Sequence, residues 1–106
     1  MLQGETRAFR VEPVMKPSHI GMVGGYDRNF EVGDIVQHFK GGLYIIEAFG
    51  TNTETGENVV IYKSLADGRT WVRPKEMFIG ETDKDKYPDL AELQPYRLVK
   101  VRVEYV

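Results

Sequence analysis

The chain carries two imidazoles, His19 and His38, and no cysteine. Disulfides, thiolate metal sites and a cysteine nucleophile are therefore excluded. A hydrolytic triad needs a nucleophile, a base and an orienting acid brought together in space. His38 offers a base, and Ser64 or a tyrosine offers a nucleophile. No local motif joins them, and a histidine on a strand most often makes a structural hydrogen bond. The two histidines lack an HxxxH spacing, so no metal site is expected. Glu54 with Glu57, and Asp83 with Asp85, are paired carboxylates of the kind that does acid–base work when burial splits their pKa values. Turns and linkers leave such groups solvated. The segment GMVGG, Gly21 to Gly25, offers backbone amides to a phosphate. It lacks the preceding strand, the following helix and the lysine–hydroxyl ending of a P-loop. These patterns assign no catalytic residue, metal or cofactor.

The aromatic residues are more informative. Phe39, Tyr44, Tyr62 and Trp71 supply aromatic surface, and His38, Lys40 and Arg73 supply polar and cationic groups beside it. In TWVRPKEMFIG, Thr70 to Gly80, strand alternation puts Trp71 and Arg73 on one face. A group stacked on Trp71 would also meet Arg73. The competing reading is a barrel corner in which Trp71, Met77 and Phe78 are packing. The candidate ligand-binding set is His38, Lys40, Tyr44, Tyr62, Trp71 and Arg73.

These side chains need a scaffold, and the chain reads as all-β. Short β-branched and aromatic runs sit between glycine and proline turn signals, and no window carries a helical stripe. DIVQHFK (Asp34 to Lys40), LYIIEAFG (Leu43 to Gly50), VVIYKSL (Val59 to Leu65) and Thr70 to Arg73 are expected strands. Gly41-Gly42 suits a two-residue hairpin, Gly56 a bulge or left-handed turn, and Asp67-Gly68 a tight turn. On the second of these strands Tyr44, Ile46 and Ala48 are expected on one face, and Leu43, Ile45 and Phe49 on the other. Pro74 begins a short turn, PKEM, after which Phe78 and Ile79 are expected to resume as a fifth strand. The flanks add TRAFRVEPV (Thr6 to Val14), a glycine-rich loop (Met15 to Asn29), a charged linker (Thr82 to Asp89) and a turn of helix, LAEL, capped by Asp89. The tail RLVKVRVEYV alternates clearly, with Val99, Val101, Val103 and Tyr105 on one face. Both terminal strands are expected to extend the sheet, pairing with each other and covering its second apolar face.

Four blocks, HFKGGLY (His38 to Tyr44), ETGE (Glu54 to Glu57), VVIYKSL (Val59 to Leu65) and WVRPKEMF (Trp71 to Phe78), resemble the signature of the domain of unknown function 1653 family, small bacterial and phage domains. The resemblance covers about Gly33 to Glu81. It implies an SH3-type barrel and no reaction. Where that family tends to carry alanine and then histidine before the ETGE turn, this chain has Gly50 and Asn52.

Together these readings predict a small SH3-like barrel built from an antiparallel meander and extended by N- and C-terminal strands. A length of 106 residues fits a single domain, with residues 33–81 as the SH3-like core, 1–32 as strand and loop, and 82–106 as linker and strand. No apolar run has membrane-span length, and MLQGETRAFR is not a signal peptide, so a cytoplasmic protein is expected. The favoured function is a non-catalytic binding or adaptor module taking a protein or peptide, with homodimerisation through edge strands. The alternative is a nucleic-acid-binding accessory domain. The net charge of -2 opposes a broad grip on nucleic acid, and acidic residues outnumber basic ones in residues 33–81. A small enzyme using His38 is the least favoured reading.

Overall fold

The computed structural model describes residues 9–16 and 25–105. Among these residues, six strands form one antiparallel sheet in the order β1-β6-β2-β3-β4-β5. They are β1 (Phe9–Pro13), β2 (Ile35–His38), β3 (Leu43–Thr51), β4 (Asn58–Ser64), β5 (Thr70–Pro74) and β6 (Leu98–Tyr105). Two short helices, α1 (Lys75–Phe78) and α2 (Pro88–Leu93), lie between β5 and β6. The sheet curls into a half-barrel, so the all-β expectation holds. Among the described residues, no helix is long and apolar enough to cross a membrane.

The meander follows the turn signals. Gly56 and Gly68 take left-handed φ values of 76° and 72°, which side chains resist. The β2–β3 connection is longer than the expected two-residue turn. It runs through Phe39, Lys40, Gly41 and Gly42, and the His38 amide donates to the Gly42 carbonyl at 2.8 Å. Gly41 alone of the glycine pair has positive φ, at 108°. Gly42 lies under the Tyr44 ring, which a Cβ there would meet at 3.3 Å.

One irregularity decides which side chains face inward. The β3–β4 register shifts between Ile46 and Ala48, so Glu47 bulges out of the ladder. Before the shift Ile46 opposes Tyr62; after it Ala48 opposes Ile61 and Phe49 opposes Val60. Directly opposed residues share a face. The expected pattern for β3 is therefore corrected beyond Ile46: Phe49 joins the inner face and Ala48 the outer.

On the inner face Val36, Ile46, Val60, Tyr62, Phe78 and Leu98 form the core, with Phe30 and Tyr44 packed against it. Phe78 enters it from α1 and is fully buried. Its ring meets Phe30 and Tyr62 edge-on at centroid distances of 5.5 and 5.3 Å. This corrects the expected fifth strand at Phe78 and Ile79. Pro74 has φ -53° and an extended ψ of 136°, which ends β5. The helical turn after it carries Phe78 back over the sheet, and the Ile79 amide closes on the Lys75 carbonyl at 3.0 Å. The barrel-corner reading holds for Phe78 alone: Trp71 and Met77 are 43% and 48% exposed.

The terminal strands pair with each other as expected, Phe9 opposite Tyr105 and Pro13 opposite Val101. They extend the sheet beside β2 and do not lie over the outer face of β5, where Val72 remains 63% exposed. Thr6 to Ala8 of the predicted first strand, His19 and most of the GMVGG segment lie outside the described residues. The helix expected at LAEL begins earlier, with Pro88 at its first turn. Asp89 lies inside that turn and does not cap it.

The segment from Gly80 to Arg97 is tied to the sheet by buried polar contacts. Thr82 is buried, and its hydroxyl donates to the Gln94 carbonyl at 2.9 Å. The Gln94 side-chain amide donates to the carbonyls of Gln37 in β2 and Tyr96, at 3.0 and 2.9 Å. The Arg97 amide donates to Gly80, and the Phe39 amide to Arg97, both at 3.0 Å. Replacing the buried hydroxyl in Thr82→Val leaves the Gln94 carbonyl short of a donor. A loss of about 1 to 2 kcal/mol is expected in denaturant unfolding, with an unchanged m-value.

Candidate functional site

The register of β4 with β5 sets Tyr62 opposite Trp71 and Val60 opposite Arg73. That of β2 with β3 sets Val36 opposite Tyr44, so His38, two residues on, shares their face. Five of the six candidate residues thus lie on the inner face, with Tyr62 part of the core at 5% exposure and Tyr44 packed against it. His38, Tyr44, Tyr62, Trp71 and Arg73 line one cleft of about 150 Å³. The Tyr44 and Tyr62 rings meet edge-on at 5.3 Å. The Arg73 Nε donates to the Tyr62 hydroxyl at 3.2 Å, which fixes the guanidinium plane against the phenol. The Arg69 guanidinium lies over the Trp71 ring at 5.5 Å, so the half-exposed indole carries a cation on its face.

Lys40, the sixth candidate, is carried off the end of β2 by the Phe39–Gly42 turn. It lines a second cleft of about 370 Å³ with His38, Phe39, Arg73, Asp83, Lys86, Tyr87 and Arg97. His38 and Arg73 line both clefts and so form the wall between them. The Lys40 ammonium lies 4.7 Å from the Tyr87 ring centroid, and Lys86 lies 5.5 Å from the same ring. Phe39 packs against Tyr87 at 5.1 Å. The Arg97 Nη1 donates to the Met77 carbonyl at 3.0 Å. Asp83 is the carboxylate of this cleft, and its Oδ1 accepts the backbone amides of Asp85 and Lys86 at 3.0 and 3.2 Å. Among the described residues, none of Lys40, Arg73, Lys86 and Arg97 forms an ion pair.

His38 sits at the centre of this field. Its Nδ1 accepts the Lys40 backbone amide at 3.1 Å, which leaves the proton of the neutral ring on Nε2. Partial burial, and then the charges of Arg73, Lys40 and Arg97, lower its pKa from 6.5 to about 4. At neutral pH it is an uncharged donor. With Nδ1 occupied by a backbone amide, it has no N–H there to offer an orienting carboxylate, as a triad requires. The Ser64 hydroxyl, weighed as a nucleophile, accepts the Ala66 amide at 3.2 Å within the β4–β5 turn.

Lys86, Tyr87 and Arg97 are not readily legible as site residues from sequence, because the charged linker reads as solvent-facing and Arg97 reads as the first residue of an alternating strand. The lysine–tyrosine pairing in DKYPD is the signal that was there to find. A further cavity of about 240 Å³ also lies outside the predicted set. Its apolar lining is Phe30, Phe49, Val60, Phe78 and Ile79, with Arg28, Asn29 and Lys75 at its polar margin. The Glu47 bulge is what turns Phe49 towards it. Among the described residues, no group of three or more histidine, cysteine, aspartate or glutamate side chains is arranged to hold a metal ion.

A family model described as a protein of unknown function, DUF1653, matches residues 34–101. The match reaches well beyond the Gly33 to Glu81 span of the four motif blocks and includes α2, Arg97 and the first half of β6. No curated protein and no solved structure matches the chain.

A neutral, folded-state His38 has a direct stability consequence. Between pH 6.5 and about 4 the unfolded chain binds a proton at this position that the folded chain does not. Stability from this group is therefore full above pH 6.5, falls as pH drops to about 4, and is constant below that. In His38→Gln the pH dependence of unfolding free energy is expected to flatten across that window. The difference is about 1 to 2 kcal/mol after discounting for solvent screening of a partly exposed ring, read from denaturant curves of the two proteins.

Proposed function

The chain belongs to the DUF1653 family, which supplies no activity to inherit, and we propose that it is a non-catalytic binding module of SH3-like type whose ligand lies in the cleft of His38, Tyr44, Tyr62, Trp71 and Arg73. The observation that carries this reading is Trp71. Its indole is 43% exposed on the inner face, beside two tyrosines and a hydrogen-bonded arginine. Leaving that much aromatic surface in water forfeits hydrophobic stabilisation of about 25 cal/mol per Å², which a bound partner would recover. The cleft also has the composition of a recognition site, with aromatic walls and a few fixed polar groups. The His38 geometry favours binding over catalysis, since its Nδ1 is committed to a backbone amide. On this reading the whole chain acts as one domain, in which β1 and β6 complete the sheet and the Gly80–Arg97 segment borders the neighbouring basic cleft.

The test is Trp71→Ala in the full chain. Because the indole is half in water, the variant is expected to keep the wild-type circular dichroism spectrum and to lose less than about 2 kcal/mol of stability. A ligand found by chemical-shift titration with peptide and nucleotide pools is expected to bind it at least about tenfold more weakly. Unfolding of Trp71→Ala would make the residue core. Unchanged affinity in a folded variant would move the ligand elsewhere.

A further inference from the structure

The two clefts share a wall, and that wall constrains the ligand. One side is an aromatic recess that includes Trp71; the other is a basic cleft whose cations form no ion pair among the described residues. Lys40, Lys86 and Arg97 converge there from three separate stretches of chain, the β2–β3 turn, the linker before α2 and the approach to β6. With Arg73 on the shared wall, they leave Asp83 as the single opposing carboxylate in the cleft, itself engaged by two backbone amides. By contrast Lys100, whose side chain is mostly buried, is neutralised by carboxylates: it lies 3.5 Å from Asp27 and 3.3 Å from Asp34. Gathering like charges costs Coulomb energy that a bound anion relieves, and arginine and lysine side chains around a concave site suit phosphate oxygens.

Building on the proposed role of the aromatic cleft, we propose that the joined clefts bind a nucleoside phosphate, with the base against Trp71 and the phosphate among Lys40, Lys86, Arg73 and Arg97. The dividing wall favours a base over a phenyl ring. His38 and Arg73 present donors there, beside the Tyr62 hydroxyl. A base has carbonyl and ring-nitrogen acceptors along its edge to meet them; the ring of a phosphotyrosine has none. Stacking of a base on an aromatic side chain contributes about 1 to 3 kcal/mol. The overall charge of -2 is no obstacle, because a single phosphate needs a local field and not a basic molecule.

The proton on His38 reports the anion. The groups facing it are Lys40 and Arg73, with Arg97, Lys86, Asp83 and Tyr87 completing the cleft. Burial is the first cause of the low His38 pKa and the cationic field the second; a phosphate offsets the field, so it raises the pKa of His38 above its free value of about 4. Binding then takes up protons, and affinity rises as pH falls towards 4.

The experiment is a chemical-shift titration of the full chain with four probes at low salt: thymidine, thymidine 5′-monophosphate, the dinucleotide TpT and inorganic phosphate. TpT has no group that ionises between pH 4 and 8, so its pH dependence belongs to the protein. Thymidine monophosphate and TpT are expected to shift the Trp71 indole together with the amides of Lys40, Lys86 and Arg97, and to bind at least about tenfold more tightly than thymidine or phosphate alone. Lys86→Gln, on an exposed turn, should fold normally and weaken both by about three- to tenfold. The rise of TpT affinity below pH 6 should disappear in His38→Gln and persist in Asp83→Asn. A single-stranded oligothymidylate that binds more than about tenfold tighter than TpT, with a steeper salt dependence, would identify a strand as the source of the nucleotide; equal affinity would identify a free nucleotide. Thymidine binding as tightly as its phosphate would overturn the phosphate site and leave the aromatic cleft standing. A phosphotyrosine peptide that binds where nucleotides do not, or no shift with millimolar nucleotide, would overturn the proposal outright.

Discussion

Gln94 reaches with one side-chain nitrogen for the carbonyls of Gln37 and Tyr96, while its own carbonyl receives the hydroxyl of the buried Thr82. These contacts are partly shielded from water, and Thr82 is buried, so an unmet partner is costly and the network favours one arrangement. That arrangement lays the Gly80–Arg97 segment along the end of β2. Together with the backbone bonds of Arg97 to Phe39 and Gly80, it brings Lys86, Tyr87 and Arg97 near His38 and Lys40 and so forms the basic cleft. The half-barrel supplies an aromatic face by strand alternation alone; the second wall of the site comes from this latch. Arg28 plays a similar part on the facing segment. Its guanidinium donates to the carbonyls of Leu98 and Ile79 at 2.7 Å each and lies 4.0 Å from the Tyr96 ring centroid.

The electrostatics of the cleft follow from that placement. Charges that are distant in sequence, and individually ordinary, become neighbours whose fields add. His38, already disfavoured as a cation by partial burial, yields first, because giving up its proton is cheaper than losing an arginine or lysine charge. The ring then persists as a neutral donor held by the Lys40 amide. Aromatic rings temper the repulsion. Tyr87 takes cations towards its face from two lysines, and Trp71 takes one from Arg69.

Much of the sheet was legible in the sequence. Glycine placement located the turns, and alternation in RLVKVRVEYV foretold β6 and its pairing with β1. The candidate residues on regular strands were legible for the same reason: a period of two puts His38, Tyr44, Tyr62, Trp71 and Arg73 on a shared face once the strands are in register. What escaped was everything that breaks the period. Glu47 adds a residue to one side of a ladder, and a string of letters does not say where a bulge falls, so alternation alone puts Phe49 on the wrong face. Phe78 and Ile79 have strand-like side chains, yet the fixed φ of Pro74 and the demand for a large ring in the core made a helical turn instead. Trp71 was the hardest case, since an indole fits a core or a binding surface equally well by composition. The charged segment before α2 looked solvated because its partner, Gln94, acts through hydrogen bonds that hydrophobic patterning does not register.

The pairing of β1 with β6 has a mechanical side. Phe9 stands opposite Tyr105, so the outermost residues of these two strands sit shoulder to shoulder at one corner of the sheet. Tension applied across that corner would load the ladder one rung at a time, as a zipper opens, and not all rungs together in shear. The terminal pair would therefore peel at low force. The strands that carry the aromatic recess, on the far side of β2, would hold their shape until the peeling reached them.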